Sequence, residues 1–299
     1  MTHFQIPQEL FQEEGYKTVN GITHFYRTVG TGEPFIFLHG GPGMWHDELV
    51  PSFLDFAKTH QCIFYDQRGN GKSLMEKIDD TNFTTDLLVE DLEALRKEFG
   101  LEQMNIIGHS WGGLLGMYYA SKYPQNVKRL LLIDAAPVNS GLLIQCYENM
   151  MKRFSEKDWN YLQELYESTA YNAGNPDSHN EAMRLSEGVT FYNAEAREEY
   201  FKTAVFDEIK AKNSIAINNG PAREMKFNIT VQDQLSNIVC PTLLVQGAED
   251  FIVVEAPELA NQLIKNSKLV FIPNSGHYPF MEAPDEFFNA LDSFIDETQ

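Results

Sequence analysis

The chain has 299 residues, of which 43% are hydrophobic and 22% charged, ordinary proportions for a soluble globular protein. Against 23 basic side chains stand 43 acidic ones, a formal charge of −20, which repels phosphate backbones and anionic lipid and argues against nucleic-acid or membrane-surface binding. No run of 18 apolar residues occurs, so no membrane span is expected, and the segment MTHFQIPQELFQEEGYK shows no basic stretch followed by an apolar one; the expected location is the cytoplasm.

Short β-branched and aromatic runs recur at 21–29, 35–40, 62–67, 104–109, 129–135, 242–248 and 268–273. From the second onward they are mostly continuous rather than alternating, the pattern of strands buried on both faces of a parallel sheet. Between them lie stretches of helical period. Residues 84–100 carry Leu88, Leu92 and Leu95 on one stripe and stop at Gly100, just beyond Arg96 and Lys97. Residues 112–124 and 285–297 read as two further helices. Strand and helix in alternation predict an α/β fold, a mostly parallel sheet flanked by helices. The alternation lapses from 136 to 231, where only helical patterns occur: 141–154, then 155–168 opened by Ser155 with Asp158 three residues later, then 194–212 preceded by Asn193 as its cap. The expected organisation is a core of residues 1–135 and 232–299, with 136–231 inserted as a helical cap over the sheet.

Cys62, Cys146 and Cys240 each sit among apolar neighbours and show no C-x-x-C spacing, which reads as buried reduced thiols. The burial pattern of MNIIGHSWGGLLG (104–116) breaks at Gly108, Ser110 and Gly112 and then resumes. Small residues two positions either side of a serine, between a strand and a helix, make a turn tight enough to lift Oγ above the sheet edge. A serine hydroxyl needs a base, and His277, on the loop after the run at 268–273, stands at the same edge. His109, adjacent to the serine, points away from it, and His39 reads as a loop-stabilising hydrogen-bonder. His3, His24, His46, His60 and His179 read as core or surface histidines. The base needs an acid to fix its tautomer; Asp250, directly after the run at 242–248, is the candidate, with Asp134 its rival and Glu249 one residue out of place. The order Ser110, Asp250, His277 is nucleophile, acid, base. An oxyanion also needs two donors: the N–H of Gly41 in FLHGGPG, with Gly40 as the alternative, and that of Trp111. DQRGNGKS (66–73) lacks the full phosphate-loop spacing and reads as a structural turn. No cluster with metal-ligand spacing occurs, so neither metal nor cofactor is expected.

The motifs HGGPG, YDQRGNGKS, GHSWGGLLGMYYASKYP, PTLLVQGAED and SGHYPFMEAP together resemble the proline iminopeptidase group of α/β-hydrolases over nearly the whole chain. INNGPAREMKFN is similar to a Gly-Pro segment of the tricorn-interacting aminopeptidase subfamily. The resemblance implies an α/β-hydrolase fold and cofactor-free release of an N-terminal residue, often proline, from short peptides. It also implies glutamates for the substrate's α-ammonium, one directly after the catalytic acid and one two residues after the proline of the Gly-Pro segment. Phe251 and Arg223 hold those positions here. Glu224, one residue on, and Glu148, early in the cap, are the remaining candidates.

A second reading keeps the mechanism and changes the substrate to a small ester, lactone or amide, with Trp159, Tyr161, Phe191, Tyr192 and Phe206 of the cap shaping an apolar pocket. Epoxide and haloalkane chemistry would need an aspartate where Ser110 stands. A third reading is a ligand-binding receptor that keeps the fold without turnover.

Overall fold

The computed structural model describes residues 5–299, apart from the side chains of Glu224 and Phe227. At the amino end β1 (Phe11–Val19) and β2 (Ile22–Val29) form an antiparallel ribbon, and β2 pairs antiparallel with β4 (His60–Tyr65). Parallel to β4 run β3 (Glu33–Leu38), β5 (Met104–His109), β6 (Val127–Ile133), β7 (Thr242–Gly247) and β8 (Ser267–Ile272). The order across the sheet is β1-β2-β4-β3-β5-β6-β7-β8. The ribbon strand β1 was absent from the hydrophobic pattern for a physical reason. It is an edge strand whose Gln12, Glu13 and Glu14 face solvent, with only Val19 fully buried, and such edges carry charge rather than alternation.

Two helices, α1 (Thr85–Glu98) and α2 (Trp111–Lys122), cover one face of the sheet. Leu88, Leu92 and Leu95 of the first and Leu114 and Leu115 of the second pack on Ile36, Ile106, Leu130 and Leu244. Full burial of each such side chain contributes about 1.5–3 kcal/mol, and it is the strands' apolar runs that make this pairing possible. Thr84 caps α1 by accepting from Leu87 N, and Gly100 follows with φ of 68°.

Between β6 and β7 the described residues form α3 (Ser140–Met151), α4 (Glu156–Glu167), α5 (Thr169–Asn172), α6 (Pro176–Ser186), α7 (Ala194–Thr203), α8 (Glu208–Asn219) and α9 (Pro221–Phe227). Ser155 Oγ accepts from Asp158 N, and Asn193 Oδ1 accepts from Glu195 N and Ala196 N. The helix expected over 194–212 is two helices. Phe206 N donates to Asn180 Oδ1 at 2.8 Å instead of continuing the helical ladder, and Asp207 recaps the chain by accepting from Lys210 N.

The chain closes with α10 (Glu255–Leu263), α11 (Pro279–Glu282) and α12 (Pro284–Glu297). Phe287, Leu291 and Phe294 of α12 pack with Phe35, Phe37, Ile107 and Val245 on the second face. All three cysteines are buried and unpaired. Among the described residues no helix is long and apolar enough to cross a membrane.

The 66–73 turn is structural. Arg68 grips Asp91 of α1 with Nε on Oδ2 at 2.6 Å and Nη2 on Oδ1 at 2.7 Å, and His24 Nε2 lies 3.3 Å from the same carboxylate. Both ion-pair side chains are almost wholly buried, and removing one partner of such a pair leaves an uncompensated charge. Asp91→Ala is therefore expected to cost about 3–5 kcal/mol in denaturant unfolding, well beyond the loss from replacing an exposed acid such as Asp55.

Candidate active site

The parallel register brings the carboxyl ends of the strands to one level: Leu38 pairs with Gly108, His109 with Ile133, and Gly247 with Ile272. Loops leaving that edge carry His39–Gly43, Ser110, Asp134, Asp250 and His277. Met104–His109 are all buried, and Ser110 is the first residue to emerge. Its backbone lies at φ 53°, ψ −118°, a strained region for a residue with a side chain. The turn is locked on both sides. Ser110 N donates to Ile133 O at 2.9 Å, Ser110 O accepts from Ala136 N at 2.9 Å, and a Cβ at Gly112 would be driven into the Leu38 carbonyl.

His277 Nδ1 lies 2.9 Å from Asp250 Oδ2. The same oxygen accepts from Gln246 Nε2 at 2.8 Å, and Oδ1 accepts from Phe251 N at 2.6 Å. Burial alone would raise the carboxyl and lower the imidazole. Facing each other, the two outweigh it, so that Asp250 is held below its ordinary pKa and His277 above its own. The His277 loop is itself anchored. His277 N donates to Thr190 O at 3.0 Å, and the buried Glu282 accepts from Gly276 N and Tyr278 N on one oxygen and from Tyr192 N and Asn193 N on the other.

Ser110 and His277 line one cavity of about 510 Å³, with Gly40, Gly41 and Trp111 also on its wall. Gly40 N donates to Glu48 Oε1 at 2.7 Å, so that N–H is committed and the alternative oxyanion donor is removed. Gly41, at φ 116°, has no such bond among the described residues. Trp111 N opens α2, in the turn whose N–H groups have no intrahelical acceptor. Its indole Nε1 donates to Gln67 Oε1 at 3.0 Å, and Gln67 Nε2 donates to His39 O at 2.9 Å. His39 Nε2 accepts from Gln67 N at 3.1 Å while Nδ1 bonds Gly40 O at 2.8 Å, so the Arg68 turn holds both sides of this loop. His109 Nε2 bonds His277 O at 2.9 Å.

Glu148 is exposed on α3 and is not on the cavity wall, which Cys146, Tyr147 and Met150 of that helix reach instead. The helical period turns position 148 outward. The side chain of Glu224 lies outside the described residues. Of the five cap aromatics, which as a class pack in a lid core more often than they touch substrate, only Phe206 lines the cavity; Tyr161 and Tyr192 are exposed, and Phe191 stacks on Tyr278 at 4.3 Å. His179, which reads as core or surface in the sequence, lines the cavity stacked on Tyr171 at 3.9 Å.

Two glutamates missed in the sequence do face the cavity, Glu48 and Glu187. Tyr278 Oη donates to Glu187 Oε2 at 3.2 Å, and Tyr200 Oη reaches Glu48 Oε2 at 3.5 Å. Burial raises the Glu187 carboxyl, the charge of His277 and the Tyr278 hydroxyl act against it, and the charge of Glu48 adds to it. No spacing signal marks either residue. Glu48 follows a glycine loop by a few positions, and Glu187 ends α6 like any solvated acid. Among the described residues Asp134, Asp250 and His277 form a cluster whose candidate ligand atoms lie within 4.8 Å of one another. With His277 Nδ1 engaged to Asp250, the donor set suits a hydrogen-bonded acid–imidazole pair rather than a cation.

The family model described as "alpha/beta hydrolase fold" matches residues 33–284. The chain belongs to the α/β-hydrolase fold family. It is 33% identical to a proline iminopeptidase of Saccharolobus solfataricus, covering 95% of this chain and 93% of the relative. It is 30% identical to one of Thermoplasma volcanium over 95% and 97% of the two chains. Among solved structures, a proline iminopeptidase of Mycobacterium smegmatis superposes with a TM-score of 0.73 at 20% identity, over 96% of this hydrolase and 98% of the other. A thermophilic esterase of Thermogutta terrifontis gives 0.69 at 21% identity, over 96% and 99%.

The raised His277 value has a checkable sign. By NMR, His277 of this hydrolase is expected to titrate above the ordinary imidazole value of about 6.5. In the double variant Asp134→Asn, Asp250→Asn the charge and hydrogen bond of Asp250 are gone and only the pull of Glu187 and Glu48 opposes burial, so the value is expected to fall below that of the wild type.

Proposed function

We propose that this hydrolase is a serine aminopeptidase of the proline iminopeptidase type, releasing an N-terminal residue, proline among them, from short peptides. Ser110 is the nucleophile, His277 the general base and acid, and Asp250 the acid that fixes the imidazole. The N–H groups of Gly41 and Trp111 form the oxyanion hole, and residues 136–231 are the cap that encloses the site. With Nδ1–H held by Asp250, His277 Nε2 takes the proton of Ser110 Oγ as Oγ bonds to the scissile carbonyl carbon. The carbonyl pair moves onto oxygen, where the two backbone donors meet the charge. Collapse breaks the C–N bond as the His277 proton passes to the departing amine, and water cleaves the acyl ester by the same route. Three buried, unpaired cysteines support a reducing compartment, the cytoplasm, as its place of action.

The observation that carries an aminopeptidase over an esterase is the pair of glutamates on the cavity wall. An α-ammonium leaving water needs carboxylates to replace its hydration. Glu187, with one tyrosine hydroxyl on it, and Glu48 beside the glycine loop supply them in the same cavity as Ser110. They stand in for the glutamates that the resemblance implies at the positions of Phe251 and Arg223.

The test compares kcat/KM for prolyl-β-naphthylamide, its N-acetylated form and p-nitrophenyl butyrate, in wild type, Ser110→Ala and Glu187→Gln. The free-amine substrate is expected to be turned over and acetylation to abolish most of that. Ser110→Ala is expected to abolish all turnover. A hydrogen bond to a charged group contributes about 1.5–3 kcal/mol, so Glu187→Gln is expected to lose about 10- to 100-fold on the prolyl amide and far less on the ester. Fast ester cleavage with no prolyl amide turnover would make the protein an esterase. Failure of a fluorophosphonate to label Ser110 would make it a receptor.

A further inference from the structure

Asp134 directly follows β6, beside the strand that leads into Ser110, and the mechanism above makes no use of it. It is completely buried, with its backbone at φ 42°. Its N–H donates to Val245 O at 2.8 Å and its Oδ1 accepts from Gly247 N at 2.8 Å. Its Oδ2 is buried with no hydrogen-bond partner among the described residues. One oxygen of Asp134, one of Asp250 and a ring nitrogen of His277 lie within 4.8 Å of one another. Asp250 has both oxygens engaged, Oδ1 with Phe251 N and Oδ2 with His277 and Gln246. Glu282 also faces the cluster, and Arg153 lies on the Asp250 side, donating to Glu249 O at 2.8 Å.

Two buried carboxylates at this separation, with one imidazole to share, cannot both hold a charge without strong repulsion. Asp250 has the imidazole and two further donors. Asp134 has one backbone N–H and an oxygen facing nothing that can donate. Burial, and then the charge of Asp250, push the Asp134 carboxyl well above the ordinary carboxylate range. A proton on Oδ2 removes the second charge and turns an unsatisfied acceptor into a donor.

We propose that Asp134 is carried as a neutral carboxylic acid donating its Oδ2 proton to Asp250, a positioning residue for the triad that becomes the site's carboxylate when Asp250 loses its charge. The role assigned to it rests on Asp250 being the triad acid; the place of the proton does not. When an amide replaces Asp250, the repulsion is gone, the amide N–H is available to Oδ2 and the His277 imidazolium attracts the charge; together these offset the burial that remains, and Asp134 releases its proton to solvent, leaving a carboxylate within reach of the His277 ring.

The proton is read directly by isotope-edited infrared spectroscopy on protein labelled with 13C-aspartate. At neutral pH the wild type is expected to show a carboxylic-acid C=O band that disappears in Asp134→Asn and also in Asp250→Asn, where Asp134 ionises. In kinetics, Asp250→Asn is expected to retain about tenfold or more of the kcat/KM left in the double variant. Its acid limb is expected to lie at higher pH than the double variant's. Wild type without an acid band, a band that survives Asp134→Asn, or single and double variants with equal activity and equal pH profiles would each overturn the proposal. The kinetic arms run on whichever of the prolyl amide and the butyrate ester is turned over, so failure of the aminopeptidase reading appears in substrate choice and leaves the infrared result intact.

Discussion

The close approach of α2 to the end of β3 governs the catalytic edge. Gly112 lets the first turn of the helix sit against the Leu38 carbonyl, where any side chain would collide. That contact holds Ser110 at positive φ, and it brings Trp111 N level with the glycine loop that follows β3. Strain at one residue is sustained because flanking bonds to Ile133 and Ala136 leave the backbone no alternative. The register of four neighbouring strands then sets every other loop of the site at the same height.

Electrostatics at that edge is a matter of sharing few cations among many acids. Asp134, Asp250, Glu48, Glu187 and Glu282 all lie at or behind the cavity wall, in a protein of formal charge −20. Each is stabilised differently. Asp250 has the imidazole, Glu282 has four backbone N–H groups, and Glu48 has Gly40 N and the neighbouring His109. Among the described residues Glu187 accepts a side-chain hydrogen bond from a tyrosine hydroxyl alone, with the charges of His277 and Lys226 acting on it through space, which makes it the acid with most to gain from an arriving ammonium.

Local signals made much of this visible in the chain itself. Continuous apolar runs marked the strands from β3 to β8, and Ser110, Asp250 and His277 stand out as candidates because each lies within a few residues of the end of such a run; the structure brings all three to one edge. Capping residues such as Ser155 and Asn193 carry their message in a few neighbouring positions and were equally legible. What stayed hidden depends on distant partners. The strand β1 has no burial pattern because it is an edge. The break before Asp207 depends on Asn180, remote in sequence. Glu48 and Glu187 meet across more than a hundred positions, and only the fold shows that they share a wall while Glu148 does not.

The bonds around Glu282 constrain how a substrate can arrive. Thr190, Tyr192 and Asn193 belong to the stretch between α6 and α7, and they are tied to the very loop that presents His277. That stretch cannot shift without carrying the His277 loop with it. Elsewhere on the cavity wall stand Asn218, Asn219, Lys226 and Ile229, and Asn218 Nδ2 donates to Pro42 O of the glycine loop at 3.2 Å. Two parts of the segment between β6 and β7 are thus tied to two different loops of the sheet edge, one to the loop of His277 and the other to the glycine loop after β3.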